Sequence, residues 1–324
     1  MVVACSADDT TEAGASENGE GDTEGHKIAF FSAGASNNYL ITGIEHAEVV
    51  AEEYGMDIDV FDGQFDPLHQ LNQIQNAIAT EEYDGFVVEA VDGNQVCDIL
   101  TNDAVDQGIA ISAINIELCG VEDTAAEGTL TFVGGQGVAA YQEILQSIFK
   151  EVPDGGKMVA IGGPATGTPY LNFEKALEIE MPKKPEWELV GLHSTDYTAN
   201  KAYQVAQNVL QANSDLDVIF SNYSGMTSGI VEAAESMGRD DVKIFDFGGD
   251  EWAFNAVEEG KIQQTAVMLP KEEVERGIEA LHLHFNGEDV PEFYDLLDED
   301  ILPGTIHVNK ENIDEFREKG LPEY

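Results

Sequence analysis

From Lys27 onward, short apolar runs alternate with segments of helical spacing. Ile28-Ala29-Phe30-Phe31 reads as a strand buried on both faces. Between Tyr39 and Tyr54 the apolar positions Ile41, Ile44, Val49 and Val50 recur near helical spacing, and Gly55 closes the pattern as a C-terminal glycine does. The same reading predicts strands over 56–61, 85–88 and 109–114, with helices over 68–78 and 96–105. A βαβαβαβ order implies a doubly wound parallel sheet with right-handed crossovers.

The pattern then repeats. Further strands are predicted at 130–133, 158–161, 189–192, 218–220, 243–247 and 265–269. Helices fit over 138–150, 171–180, 202–212, 229–237, 252–258 and 272–285. About ten strands are too many for one compact domain of this type, so two similar lobes are expected. The expected fold is α/β: two doubly wound, Rossmann-like parallel-sheet lobes joined by a hinge, with a ligand cleft between them. The expected division places residues 26–128 with 269–298 in an N-terminal lobe and 129–268 with 299–324 in a C-terminal lobe.

Composition adds a constraint on the surroundings. The 324 residues hold 63 Asp and Glu against 15 Lys and Arg, a formal charge of -48. With 43% hydrophobic residues the chain can still bury a core, so the charge is expected on a folded surface. So few basic residues argue against nucleic acid and anionic membrane surfaces as partners. Self-repulsion of this size calls for salt to screen it, which reads as a halophilic surface.

The N-terminal segment has a separate character. Val2-Val3-Ala4-Cys5 looks like the end of a lipoprotein signal, in which a small residue precedes the Cys that becomes lipid-modified. Ser6 to Gly25 has no bulky apolar residue and reads as an acidic, flexible tether, so residues 1–25 are expected to be anchor and tether. Cys97 and Cys119 are a candidate disulfide in an oxidising extracellular setting, with free buried thiols as the alternative. Gly162 to Thr168 follows a strand and precedes a helix, but lacks the Lys of a phosphate-binding loop and reads as a plain turn. His282 and His284 are two apart on a helix and make a poor metal pair. The acidic stretches at 288–289 and 295–300 read first as surface, and no metal or cofactor is expected.

Lys27 to Ser32 followed by Asn37-Asn38-Tyr39-Leu40 resembles the first strand and ligand loop of type I periplasmic binding proteins of the ribose-binding kind. The segments 109–115, 218–222, 244–250, 265–270 and 304–316 resemble the family in the same order. The resemblance implies a two-lobed, non-enzymatic protein that closes on a sugar or similar solute and presents it to the permease and ATPase of an ABC importer. By the same resemblance it acts as a monomer, on the outer face of the cytoplasmic membrane if lipid-anchored.

Mapped residue by residue, Tyr39, Leu40 and Tyr197 fall where the family stacks aromatic side chains on a sugar. Asn37 or Asn38 falls at its first-loop amide and Asn222 at a hydroxyl-binding Asn. Asn115 stands where the family has the Asp of an Asp-Arg pair, and Asn172 falls near an Arg of the second lobe. Asp250 stands two residues from the position of a family Asp, Met268 at that of a Gln, and Glu89 where a neutral polar residue is common. No Lys or Arg falls at a mapped position, so an anionic ligand is disfavoured and a neutral sugar or polyol is expected. A ligand sensor, or a nucleoside-binding protein of the same fold, is the alternative. A repressor of the lactose-repressor kind would need a helix-turn-helix that residues 1–25 do not supply, and an enzyme would need a catalytic set that the motifs do not contain.

Overall fold

A computed structural model describes residues 25–296 and 301–324. Cys5, the tether up to residue 24 and the expected lobe division at 298/299 lie outside them. The chain runs β1 (Lys27–Ser32), α1 (Asn38–Glu53), β2 (Asp57–Asp62), α2 (Pro67–Thr80), β3 (Gly85–Val88), β4 (Ala110–Ile114) and β5 (Thr131–Val133). It continues through α3 (Val138–Glu151), β6 (Gly156–Gly162), α4 (Thr168–Glu180), β7 (Trp187–Ser194), α5 (Ala199–Ala212), β8 (Val218–Ser221) and α6 (Ser224–Ser236). The rest is β9 (Lys243–Gly248), α7 (Glu251–Glu259), β10 (Gln264–Val267), α8 (Pro270–Phe285), β11 (Phe293–Tyr294), β12 (His307–Val308) and α9 (Ile313–Glu318).

Two six-stranded sheets result, ordered β11-β5-β4-β3-β1-β2 and β12-β10-β9-β8-β6-β7. The inner strands carry unbroken apolar runs because helices cover both faces; all four residues of β3 and of β8 are buried. Local signals start the helices where the pattern changes. Asn37 accepts from the Leu40 amide at the start of α1, and Asp66 with Pro67 opens α2.

Three details correct the expectations. The short strand β5 belongs to the first sheet, so the chain first crosses between lobes after Val133 and not after residue 128. The second sheet is not wholly parallel, because β12 runs antiparallel to β10 along its edge. The stretch read as an α-helix over 96–105 contains a π-helix at Ile99–Ala104. Leu100 is buried in the smaller apolar cluster of the first lobe, and Val105 packs against it.

Cys97 and Cys119 form a disulfide, with Cα atoms 5.0 Å apart and 22 residues of separation. It ties the segment after β3 to the segment after β4, the two loops that carry Glu89 and Asn115. A loop of this length corresponds to about 3 kcal/mol in the chain-entropy account. Reduction is expected to lower the melting midpoint by roughly 5–10 °C. A Cys97→Ser/Cys119→Ser variant should start at that lower midpoint and ignore reductant; a midpoint indifferent to both treatments would contradict this.

Candidate functional site

The carboxyl ends of both sheets face each other across a cavity of ≈ 650 Å³, part of it open to solvent. The first lobe contributes Ala33 after β1, Phe65 after β2, Glu89 and Val91 after β3, Asn115 and Ile116 after β4, and the start of α1. The second contributes Pro164, Thr166 and Gly167 after β6, Tyr197 after β7, and Asn222 and Tyr223 after β8. Gln136 and Met268 line it from segments where the chain passes between lobes, after β5 and after β10. Parallel strands all end on the same side, so their following loops converge there.

A chain of buried hydrogen bonds organises the floor. The Tyr39 hydroxyl donates to Glu273 of α8 and accepts from Asn115 Nδ2, which also donates to Glu273 at 3.0 Å. Gln136 Nε2 donates to Asn115 Oδ1 at 3.0 Å, and the Tyr141 hydroxyl donates to Gln136 Oε1 at 3.0 Å. Gln136 thus joins Asn115 of the first lobe to Tyr141 of the second, and Asn222 Nδ2 in turn donates to the Tyr141 oxygen at 3.2 Å. Asn222 is 1% exposed, and its Oδ1 has no partner. An unpaired buried acceptor lining a cavity is a place for a ligand donor.

Tyr197 is held as a wedge. Its ring lies 5.5 Å from Phe65 and 5.8 Å, at right angles, from Tyr223. A Cβ on Gly163 would fall 2.0 Å from the Tyr197 ring, so only glycine admits the ring at that place. Tyr197 and Asn115 both adopt left-handed φ angles of 64° and 62°, uncommon for side chains of this size. Such conformations persist where the surroundings over-determine them, as they do at binding sites.

Burial also sets the titration of the acids. Burial pushes the Glu89 carboxyl up to about 7, against hydrogen bonds from the Ser32 hydroxyl at 3.2 Å and the Ala33 amide. Burial likewise raises Asp250 to about 6, Glu323 to about 7, and Glu273 well above its ordinary value. A carboxyl raised in the fold binds its proton more tightly when folded than when unfolded. The stability it adds is full below the ordinary values near 4, and is lost as pH rises through about 7. At fixed high salt the melting midpoint is therefore expected to fall between pH 5 and pH 8. A flat or rising midpoint over that range would contradict the assignment.

The lobes are clasped along the cleft. Asn172 Nδ2 of α4 donates to Glu117 at 2.9 Å, and the Gly93 amide donates to Thr168 Oγ1 at 3.3 Å. The Thr168 amide donates to the Val91 carbonyl at 3.4 Å, and Lys175 pairs with Glu122 at 3.6 Å. From the second lobe the Tyr223 hydroxyl accepts from the amides of Asn38 and Tyr39 at the start of α1. This is a closed arrangement of the two lobes.

Of the residues singled out from the sequence, Asn37, Tyr39, Leu40, Glu89, Asn115, Tyr197, Asn222 and Met268 come together around the cavity. Three do not. The Asn38 side chain is exposed on the first turn of α1, and it is the backbone there that meets Tyr223. Asn172 spends its amide on Glu117 and the Gln136 carbonyl, as part of the clasp. Asp250 caps α7, accepting from the Ala253 amide at 2.8 Å. Phe65, Gln136, Tyr223 and the 164–167 turn were missed. Their sequence signal was position: each directly follows a strand, and the turn read as plain reaches the cavity through Thr166 and Gly167.

The model of the family described as "Periplasmic binding protein domain" matches residues 28–289. The ribose import binding protein of Salmonella typhimurium is 23% identical over 276 residues, covering 82% of this chain and 87% of that protein. The xylitol-binding protein of Mycolicibacterium smegmatis is 22% identical over 255 residues, covering 78% of this chain and 71% of the relative. Among solved structures, an ABC transporter solute binding protein from Mycobacterium smegmatis with bound glycerol aligns with a TM-score of 0.76 at 26% identity, over 90% of this chain and 96% of that one. One from Bacillus halodurans with bound myo-inositol aligns with a TM-score of 0.79 at 22% identity, over 92% and 99%.

Proposed function

Because this chain belongs to the periplasmic binding protein domain family, we propose that it is the solute-binding component of an ABC-type importer. It captures a small polar solute of the sugar or polyol class and hands it to a membrane permease. The observation that carries this reading is the cavity between the lobes, lined by aromatic rings and by polar groups from both sheets and closed over by the clasp. Aromatic faces suit the C–H side of such a solute, while Asn37, Asn222 and Glu89 suit its hydroxyls. Contacts from both lobes to one solute exist only when the lobes are together, so binding shifts the population toward the closed form. The ribose, xylitol, glycerol and myo-inositol in the names of relatives and aligned structures support this class.

The same reading takes the protein as a monomer outside the cytoplasmic membrane, held by a lipid on Cys5 and adapted to high salt by its acidic surface. The test is a thermal-shift screen in about 2 M salt against pentoses, hexoses, deoxysugars, polyols, nucleosides and amino acids. A solute at a hundredfold excess over its dissociation constant adds about 2.7 kcal/mol of stability. A shift with a sugar or polyol is the expected result. A shift with a nucleoside alone would move the ligand class, and silence across the whole panel would overturn the importer reading.

A further inference from the structure

Two acceptors in the cavity, Glu89 and Asn222 Oδ1, face it without a cationic partner among the lining residues, while the Tyr197 and Tyr223 hydroxyls accept hydrogen bonds and keep a proton each. Both N–H groups of Asn115 Nδ2 are engaged by Tyr39 and Glu273, and Gln136 Nε2 is turned to Asn115. Asn222 Nδ2 serves Tyr141 and Tyr197, which leaves its Oδ1 without a partner. The Asn37 Oδ1 is taken by the Leu40 amide, so only the far end of its amide remains as a donor. Glu89, 5% exposed, faces the same space with no Lys or Arg among the lining residues. A second carboxyl, Glu273, stands behind Tyr39 and is close enough to repel Glu89.

We infer that the solute is an amine-bearing member of the sugar or polyol class, whose ammonium group sits against Glu89 and Asn222 Oδ1 under the Tyr197 ring. This rests on the reading of the cavity as the solute site. An ammonium supplies three donors and no acceptor, which suits Glu89 and Asn222 Oδ1, while the sugar or polyol hydroxyls can accept from Asn37 and the tyrosine hydroxyls. It also gives the buried carboxylate the opposite charge that no side chain in the cavity provides. The Tyr197 and Tyr223 rings can face a cation without needing a hydrogen bond. The acidic surface favours approach of a cation at low salt, while a pair inside the cavity keeps its attraction when salt screens the surface.

Glu89 meets titratable or charged groups from each element packed around it: Tyr39 of α1, Glu273 of α8 and Tyr197 after β7, besides the Ser32 hydroxyl of β1. All of these are acids, so none offsets its charge. With its carboxyl raised to about 7, a share of Glu89 is protonated at neutral pH. Binding an ammonium there releases that proton. Binding a neutral solute does not require its release.

Titration calorimetry at pH 7 in about 2 M salt tests this with matched probes: glucosamine against glucose, galactosamine against galactose, and 1-amino-1-deoxysorbitol against sorbitol, with N-acetylglucosamine as the uncharged control. At least one amine is expected to bind tenfold or more tighter than its neutral parent, and to release protons seen as a buffer-dependent enthalpy. Glu89→Gln should abolish both the preference and the proton release; the wild-type comparison stands even if that variant does not fold. A neutral parent binding as tightly as its amine would overturn the inference and leave the importer reading intact. No binding by either set, with no shift in the wider screen, would count against the importer reading itself.

Discussion

Gly163→Ala is expected to weaken binding of whichever solute raises the melting midpoint by roughly 10- to 100-fold, or about 1.4–2.8 kcal/mol, with both sheets still folded. The new methyl would sit 2.0 Å from the Tyr197 ring, and the ring cannot retreat freely because Phe65 and Tyr223 flank it. The ring must turn out of its place, and its contact with the solute goes with it. Tyr197→Ala is expected to lose a similar amount by deleting the ring outright. Because both act through one side chain, the double variant should be no worse than the poorer single variant. Calorimetric affinities with far-ultraviolet circular dichroism as a folding control decide the matter. Wild-type affinity in Gly163→Ala would remove Tyr197 from the binding surface, and additive losses would mean that the two substitutions act separately.

Transfer from about 2 M salt to tens of millimolar is expected to unfold or greatly loosen the protein. The 63 acidic residues face only 15 basic ones, and several of those cations already serve two carboxylates. Lys27 is within reach of Asp59 and Glu82, Lys157 of Asp215 and Glu188, and Arg317 of Glu251 and Glu258. The excess carboxylates therefore have only solvent ions to screen them. At about 1 M salt the Debye length is about 3 Å, shorter than typical spacings on the surface, whereas near 0.1 M it is about 10 Å and neighbours repel. Exposed pairs of this kind add little on their own, so they do not replace the missing salt. The midpoint and the circular dichroism should fall together as salt is removed and recover when it is restored. Equal concentrations of an uncharged osmolyte should not substitute. An unchanged spectrum down to tens of millimolar would show that the acidic surface is not a salt requirement.

Two doubly wound lobes and the strand ends facing a cleft were determined by the sequence itself. Buried parallel strands leave unbroken apolar runs such as Ile28 to Phe31, and the helices between them keep a 3.6-residue period, so alternation of the two is local information. Glu89, Asn115 and Asn222 were placed at the site by resemblance to the family, and each stands at the end of a strand or just after it, which is local information too. What a polar side chain does after reaching that rim was decided only by the tertiary structure. Asn172 and Asn222 are the same residue type, yet one clasps Glu117 across the cleft and the other leaves an acceptor free in the cavity. Asp250 looked like a ligand acceptor but satisfies the amide of Ala253 at the head of α7. Tyr223 showed in sequence only its place after a strand and not its partners, because these, the first amides of α1, come from the other lobe and meet it only at this hinge angle. Hydrogen-bond partners far apart in the chain are set by how two rigid lobes meet, and that relation has no period along the sequence.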